Sequence, residues 1–227
     1  MTDVLEAIRG RLVVSCQAYP GEPMNTPATM RAVALAVARG GAAGLRVQGL
    51  QDIAEIRAAV ELPIIGLWKD GDDDVYITPT LDHAIAVAEA GADVVALDGT
   101  RRPRPDGRTL RDTVTAIHGR TGKLVMADCS TYEEGLDAAA AGADLIGTTL
   151  SGYTPYTVKG DGPDLALVAE LAAAVGKPVV AEGRVHTPDQ AAAAIAAGAW
   201  SVVVGTAITH PTTITTWFAQ AVTTRPT

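Results

Sequence analysis

Residues 178–206 read PVVAEGRVHTPDQAAAAIAAGAWSVVVGT, and the fold turns on how this stretch is read. An apolar run, Val179 to Ala181, ends in Glu182, Gly183 and Arg184. Thr187 and Gln190 follow, three positions apart, with Pro188 at the first helical position, which is the pattern of a capping box opening a helix. The alanine-rich helix stops at Gly198, a residue type that tolerates the left-handed backbone needed there. A second apolar run, SVVVGT, follows at once and ends in Gly205 and Thr206. The unit is strand–helix–strand with polar or small groups at the C-terminal strand ends, the side on which parallel α/β folds bind their ligands.

The same pattern recurs upstream. ARGGAAGLRV, AEAGADVVAL, AAAGADLIGT and AIAAGAWSVV each end a helix on glycine and begin an apolar strand, with Gly41, Gly91, Gly142 and Gly198 spaced 50, 51 and 56 residues apart. Between them lie VELPIIGLWK, RTGKLVMADC and AVGKPVVAEG, and LVVSCQA stands near the start. A period near 50 suits a solenoid or a propeller, but each period here holds two strands and two helical segments. Four βαβα quarters make a single (β/α)₈ TIM barrel, one catalytic domain over residues 1–227. An open doubly wound sheet is disfavoured, because no G-x-G-x-x-G follows the first strand. Strands are expected at about 12–17, 44–48, 63–69, 94–98, 124–129, 145–150, 178–183 and 201–205. Helix starts are marked by Thr26-Pro27, Thr80, Thr131 with Glu134, Pro163-Asp164 and Thr187. DVLEAIRG reads as a short helix plugging the barrel bottom, and the longest loops fall after strands 1, 3, 4 and 6, on the catalytic face.

Composition agrees. The 227 residues are 48% apolar but only 4% aromatic, so the core is built from Ala, Val, Leu and Ile, as parallel strands prefer. Eighteen basic and 26 acidic residues give a net charge of −8, which argues against nucleic acid or an anionic membrane as partner. The chain shows no secretory signal pattern and no apolar run of membrane length. Cys16 and Cys129 have neither metal nor disulfide spacing and read as small buried residues, so the expected compartment is the cytoplasm.

Polar residues gather at the expected strand ends. Odd strands finish on Gln17, Lys69, Asp128 and Glu182, a set expected to share one ring; even strands finish on Arg46, Asp98, Ser151 and Gly205-Thr206. A bland reading makes this ring a structural salt-bridge layer, with Lys69 paired to Glu182. The functional reading makes Lys69 a base, an acid or a Schiff-base nucleophile, its pKa lowered by desolvation and raised by neighbouring carboxylates. Gly183-Arg184 and Gly205-Thr206, at the ends of strands 7 and 8, fit the phosphate site of such barrels. Asp72, Asp73 and Asp74 read as a solvated loop before a cation site. Arg101, Arg102 and Arg104 read equally as a phosphate clamp or as a surface loop paired with Asp106. His83, His118 and His186 read as surface or packing residues.

SCQAYPGEPM, GLRVQG, PIIGLWKD, VYITPT, ALDGTRRPRPDG, LVMADCSTYEE, AGADLIGTTLSGYT, VVAEGR and VVVGTAIT, in that order, resemble the N-acetylmannosamine-6-phosphate 2-epimerase family from about Val13 to Phe218. The resemblance implies reversible C2 epimerisation of N-acetylmannosamine 6-phosphate to N-acetylglucosamine 6-phosphate through an enediolate, within sialic-acid and amino-sugar catabolism. It implies Lys69 and Glu182 as catalytic, Gln17, Arg46 and Asp128 as substrate contacts, and Gly183, Arg184, Gly205 and Thr206 around the phosphate. No metal and no cofactor are implied; the partners are a phosphorylated amino sugar and a second copy of the chain, a homodimer before other oligomers. Two departures stand out: His210-Pro211 where the family usually reads Arg-Pro, and Asp70-Gly71 after the lysine where a basic residue and an aromatic are common. Two other functions fit the same residues: a Schiff-base lyase or aldolase, and a non-catalytic sugar-phosphate binder.

Overall fold

The computed structural model describes residues 4–223. In chain order it runs α1 (Val4–Ile8), β1 (Leu12–Cys16), α2 (Pro27–Arg39), β2 (Gly44–Gln48), α3 (Leu50–Arg57), β3 (Ile64–Leu67), α4 (Leu81–Glu89), β4 (Val94–Asp98) and α5 (Leu110–Thr121). Then follow β5 (Leu124–Asp128), α6 (Tyr132–Ala141), β6 (Leu145–Gly147), α7 (Leu165–Ala174), β7 (Val179–Glu182), α8 (Pro188–Ala196), β8 (Ser201–Val204), α9 (Thr206–Thr209) and α10 (Pro211–Thr223). The eight strands pair in parallel and in chain order, and β8 closes on β1 with Val13 opposite Val203. This is the (β/α)₈ barrel expected from the sequence.

Side-chain alternation sorts each strand between two cores. Val13, Ile65, Leu67, Val94, Met126, Leu145, Val180 and Val203 pack in one buried cluster along the barrel interior, and Ile8 of α1 joins it from the N-terminal end. The helix is the expected plug; Asp3, with which it was expected to begin, lies outside the described residues. Val14, Leu45, Val47, Ile64, Val95 and Leu97 pack on the other side, against α2, α3 and α4. Thr26, Thr80, Thr131, Asp164 and Thr187 each accept the expected N-cap hydrogen bond, and Thr131 and Thr187 form full capping boxes. The four periodic glycines all turn with φ near +100°, from 98° at Gly41 to 114° at Gly91, where a Cβ is strained.

Two of those repeats carry a feature beyond the glycine. In the Gly-Ala-Asp steps, Asp93 accepts the amide of Ile64 at 2.9 Å and Asp144 that of Val125 at 2.8 Å. Each carboxylate stitches neighbouring strands at the barrel bottom and has a cationic or imidazole partner, Arg57 at 3.0 Å and His118 at 2.8 Å. Two strands are shorter than their apolar runs suggest. β6 ends at Gly147, and residues 148–154 turn back over the mouth. β3 ends at Leu67, because the next residues pair with their own returning segment: Lys69 forms an antiparallel bridge to Ile77.

Gly66 shows how tightly β3 is packed. A Cβ there would lie 2.7 Å from Ala92 Cβ and 3.0 Å from Val87 Cγ1, neither of which has a flexible end to swing away. Gly66→Ala is therefore expected to cost about 1–3 kcal/mol by overpacking. Gly119→Ala, in the open interior of α5 with nothing within 4 Å, is expected to be neutral or to gain up to about 1 kcal/mol. Thermal melts of the two variants check the contrast.

Candidate active site

The C-terminal ends of the strands surround a cavity of about 230 Å³. That is smaller than the roughly 300–1,000 Å³ of drug-sized pockets and suits one small polar metabolite. Gln17, Arg46, Lys69, Glu182, Gly183, Arg184, Gly205 and Thr206 all line it, so residues far apart in the chain meet as the sequence suggested. Asp128 does not: it is fully buried, and its carboxylate holds Arg46 and Thr149.

Arg46 lies at the centre. It is the third residue of β2 rather than its end, opposite Ser15 and Ile65, so it points into the barrel from below the mouth. It is 1% exposed and makes a two-pronged pair with Asp128, Nη1 to Oδ1 at 3.1 Å and Nη2 to Oδ2 at 2.5 Å. The same Nη1 lies 3.1 Å from Glu182 Oε2. Thr149 Oγ1 sits between the two carboxylates, 2.6 Å from Asp128 Oδ1 and 3.2 Å from Glu182 Oε2. Thr148 fixes the Glu182 backbone from both sides, accepting its amide and donating to its carbonyl at 3.1 Å.

Lys69 takes a different partner from the one expected of a structural salt-bridge layer. Its Nζ donates to Gln17 Oε1 at 2.9 Å, and Gln17 Nε2 in turn donates to Ser15 Oγ at 2.8 Å. A neutral amide thus orients the amine without stabilising its charge as a carboxylate would. Burial lowers the Lys69 pKa and the nearby Arg46 lowers it further, against the opposing pull of Glu182 and Asp128. Glu182 moves the other way. Burial and Asp128 outweigh the help from Arg46, Thr149 and Lys69, and its pKa is pushed up to about 7. An amine and a carboxyl thus face one cavity with their proton affinities driven toward each other.

The far wall is built from the ends of β7 and β8. Arg184 has a left-handed backbone, φ 56°, directly after Gly183 at φ 110°. Its Nε donates to Gly162 O at 2.8 Å and its Nη1 to Ser151 O at 2.5 Å, and the guanidinium sits 5.3 Å from the Tyr153 ring. Gly205 is closely packed, since a Cβ would come within 3.1 Å of Ser15 Cβ, and α9 begins at the next residue with its first amides free of helical acceptors. His210 lines the cavity with its ring edge-on to Tyr19 at 4.7 Å; burial lowers its pKa, Glu22 and Gln17 oppose this, and Lys69 adds to it.

Other residues singled out in the sequence have structural roles. Asp98 accepts from Thr100 and Arg102, and Ser151 donates to Asp164. Arg101 is exposed and paired with Asp137. Arg104 is not a surface residue; it is buried and bonded to the carbonyls of Asp98 and Thr78, while Asp106 acts on it through its charge and accepts the amides of Leu81 and Arg108. His83 joins Asp70 to Thr80, and its ring packs at a tilt against Trp68, with centroids 4.4 Å apart. Cys16 and Cys129 are buried free thiols, with burial pushing Cys16 up to about 12. Among the described residues, no group of three or more His, Cys, Asp or Glu side chains converges as a metal site. The sequence reading missed Tyr19, Tyr76, Thr149 and Tyr153 as lining residues, all in the loops after strands 1, 3 and 6, where sequence alone does not show direction, and His186, read as a surface or packing residue, lines the cavity as well.

The chain matches a family model described as "Putative N-acetylmannosamine-6-phosphate epimerase" over residues 30–224. It is 54% identical over 220 residues to the "Putative N-acetylmannosamine-6-phosphate 2-epimerase" of Cutibacterium acnes, covering 96% of each chain. The solved structure of the N-acetylmannosamine-6-phosphate 2-epimerase from Clostridium perfringens superposes with a TM-score of 0.93 at 44% identity, again covering 96% of each chain. Thiamine phosphate pyrophosphorylase from Pyrococcus furiosus shares the barrel alone, with a TM-score of 0.60 at 19% identity.

The raised pKa of Glu182 has a consequence for stability. A carboxyl that ionises near 4.5 when unfolded and near 7 when folded stabilises the fold fully below the first value and loses that contribution as pH rises through the second. Glu182→Gln cannot ionise, so the melting temperature of the variant relative to wild type is expected to rise from pH 4.5 to pH 8. A constant difference across that range contradicts the assignment.

Proposed function

The chain belongs to the N-acetylmannosamine-6-phosphate epimerase family, and from that premise we propose that it interconverts N-acetylmannosamine 6-phosphate and N-acetylglucosamine 6-phosphate by moving the proton at C2, a step of sialic-acid and amino-sugar catabolism. The observation that carries this reading is the pairing of Lys69 and Glu182 across one small cavity, each displaced toward neutrality. In the open-chain sugar the C1 aldehyde acidifies the C2 proton. The Lys69 amine takes that proton, the C2–H electron pair moves into a C1–C2 double bond, and negative charge gathers on O1. Because C2 carries nitrogen, the intermediate is an enolate rather than an enediolate. Return of a proton to the opposite face of C2 completes inversion, and Glu182 is the second proton carrier of the site.

Arg46 was expected to be a substrate contact. Its Nη1 and Nη2 point at Asp128 and Glu182 and its Nε is buried without a partner, so its contribution to the enolate is the field of a buried cation, and its bonds serve to hold Glu182 in place. Asp128 acts one step further back, on Arg46 and Thr149. At the other end of the cavity, the backbone of Gly183, Arg184, Gly205 and Thr206 and the Arg184 side chain are the proposed phosphate site. With the His210 pKa lowered, the guanidinium carries the positive charge there near neutral pH.

The proposed working form is a cytoplasmic homodimer. α10 has no buried residue and exposes Phe218 and Val222, apolar surface of the kind a second copy covers. The two thiols are free, as a reducing compartment allows, and among the described residues no helix is long and apolar enough to cross a membrane.

Turnover of N-acetylmannosamine 6-phosphate in deuterium oxide, followed by NMR, tests the mechanism. Product is expected to carry deuterium at C2, and Lys69→Arg is expected to lose about 10²–10⁴-fold in kcat because a guanidinium does not release its proton near neutrality. Product that fully retains its C2 protium, or a Lys69→Arg variant with wild-type turnover, contradicts it. A substrate adduct trapped on Lys69 by borohydride would support the Schiff-base alternative instead.

A further inference from the structure

Lys69 lies beyond the end of β3, so the parallel ladder of the barrel does not hold it. Its place is set by the segment between β3 and α4, which leaves the mouth and returns alongside itself. Asp70 N donates to Tyr76 O at 3.0 Å and Thr78 N to Trp68 O at 2.7 Å. Thr78 closes this loop. It is fully buried with φ 47°, a left-handed backbone that is unfavourable for a β-branched residue and persists only where its surroundings enforce it. Its hydroxyl donates to Ala96 O on β4 at 2.6 Å and accepts from Trp68 N at 3.1 Å. Thr78 thereby satisfies both backbone polar groups of Trp68, the residue directly before the lysine.

Arg104 secures Thr78 in turn. The side chain is buried, and it spans from the β4–α5 loop to two carbonyls, Nη1 to Asp98 O at 2.7 Å and Nη2 to Thr78 O at 2.9 Å. Asp98 N donates back to Ile77 O at 3.0 Å, so the returning strand is tied to β4 at successive residues. Neither Thr78 nor Arg104 lines the cavity.

We propose that Thr78 and Arg104 are positioning residues for the epimerisation: they lock the Trp68–Lys69 backbone onto β4 so that the Lys69 amine meets Gln17 and the C2 proton. The inference rests on Lys69 being the base. Thr78→Val keeps the shape and the β-branch but loses both hydroxyl hydrogen bonds, while Thr78→Ser keeps both. A base displaced by about 1 Å can lose on the order of 100-fold in rate. Folded Thr78→Val is therefore expected to lose about 10–100-fold in kcat with KM within about twofold of wild type, and Thr78→Ser is expected to restore most of the rate. Where Thr78→Val does not fold, Arg104→Lys, whose single ammonium cannot reproduce the fork on two carbonyls, is expected to show the same fall in kcat. Wild-type kcat in the folded Thr78→Val or Arg104→Lys protein, or a change confined to KM, overturns the positioning role. A Lys69→Met control distinguishes the two levels: if it is inactive while Thr78→Val is unimpaired, only the positioning inference fails, and if it turns over normally, the assignment of the base fails first.

Discussion

One buried guanidinium faces two carboxylates, and the chemistry of the barrel mouth follows from that inequality. Arg46 cannot stay in the interior without a partner, and Asp128 supplies a matched, two-pronged one. Glu182 shares what remains. It has enough of the cation to be held in place but not enough to ionise as easily as a carboxylate in water. Lys69 completes the set from across the cavity, oriented by the neutral amide of Gln17 and destabilised as an ammonium by burial and by Arg46. A layer in which every charge were fully paired would be inert; this one leaves an acid near neutrality and a base whose proton affinity is lowered by burial.

The sequence made the architecture legible because the barrel repeats its grammar. Apolar strand runs, helix caps such as Thr131 with Glu134, and glycines such as Gly91 each specify local backbone, and eight copies in series have few ways to close. The residues that share the mouth were legible too, since Lys69 and Glu182 are charges at the ends of apolar runs. Less visible was the order of depth. Sequence shows that Arg46 and Asp128 point inward but not the register between strands, which sets Arg46 opposite Ser15 and Ile65, below the mouth, nor that the Asp128 carboxylate is closed off from the cavity. Arg104 and Thr78 were equally hidden. Nothing in the run of arginines from 101 to 104 marks which will be drawn inside, because the attraction comes from the backbone carbonyls of Thr78 and Asp98, on two different segments.

The two ends of the cavity use different materials. The reacting end is made of ionisable side chains whose behaviour depends on burial. The proposed phosphate end is mostly backbone, at Gly183 and Gly205, where a side chain would crowd the wall or strain the turn. Arg184 joins them, since the bonds that tie it to Gly162 and Ser151 also draw the loop after β6 against the cavity. A change in that loop is therefore coupled to the anion end, while the loop after β3 is coupled to the base.

The charge inequality at Arg46 sets the titration of Glu182. Infrared difference spectroscopy of protein labelled with ¹³C-carboxyl glutamate, with Glu182→Gln used to assign the band, reads the titration of Glu182 directly. The expected midpoint is about 7 in the wild-type protein. In Asp128→Asn the competing carboxylate is gone, Arg46 serves Glu182 alone, and the midpoint is expected to fall toward the ordinary glutamate range or below it. A wild-type midpoint near 4.5, or one that Asp128→Asn leaves unchanged, would contradict the account.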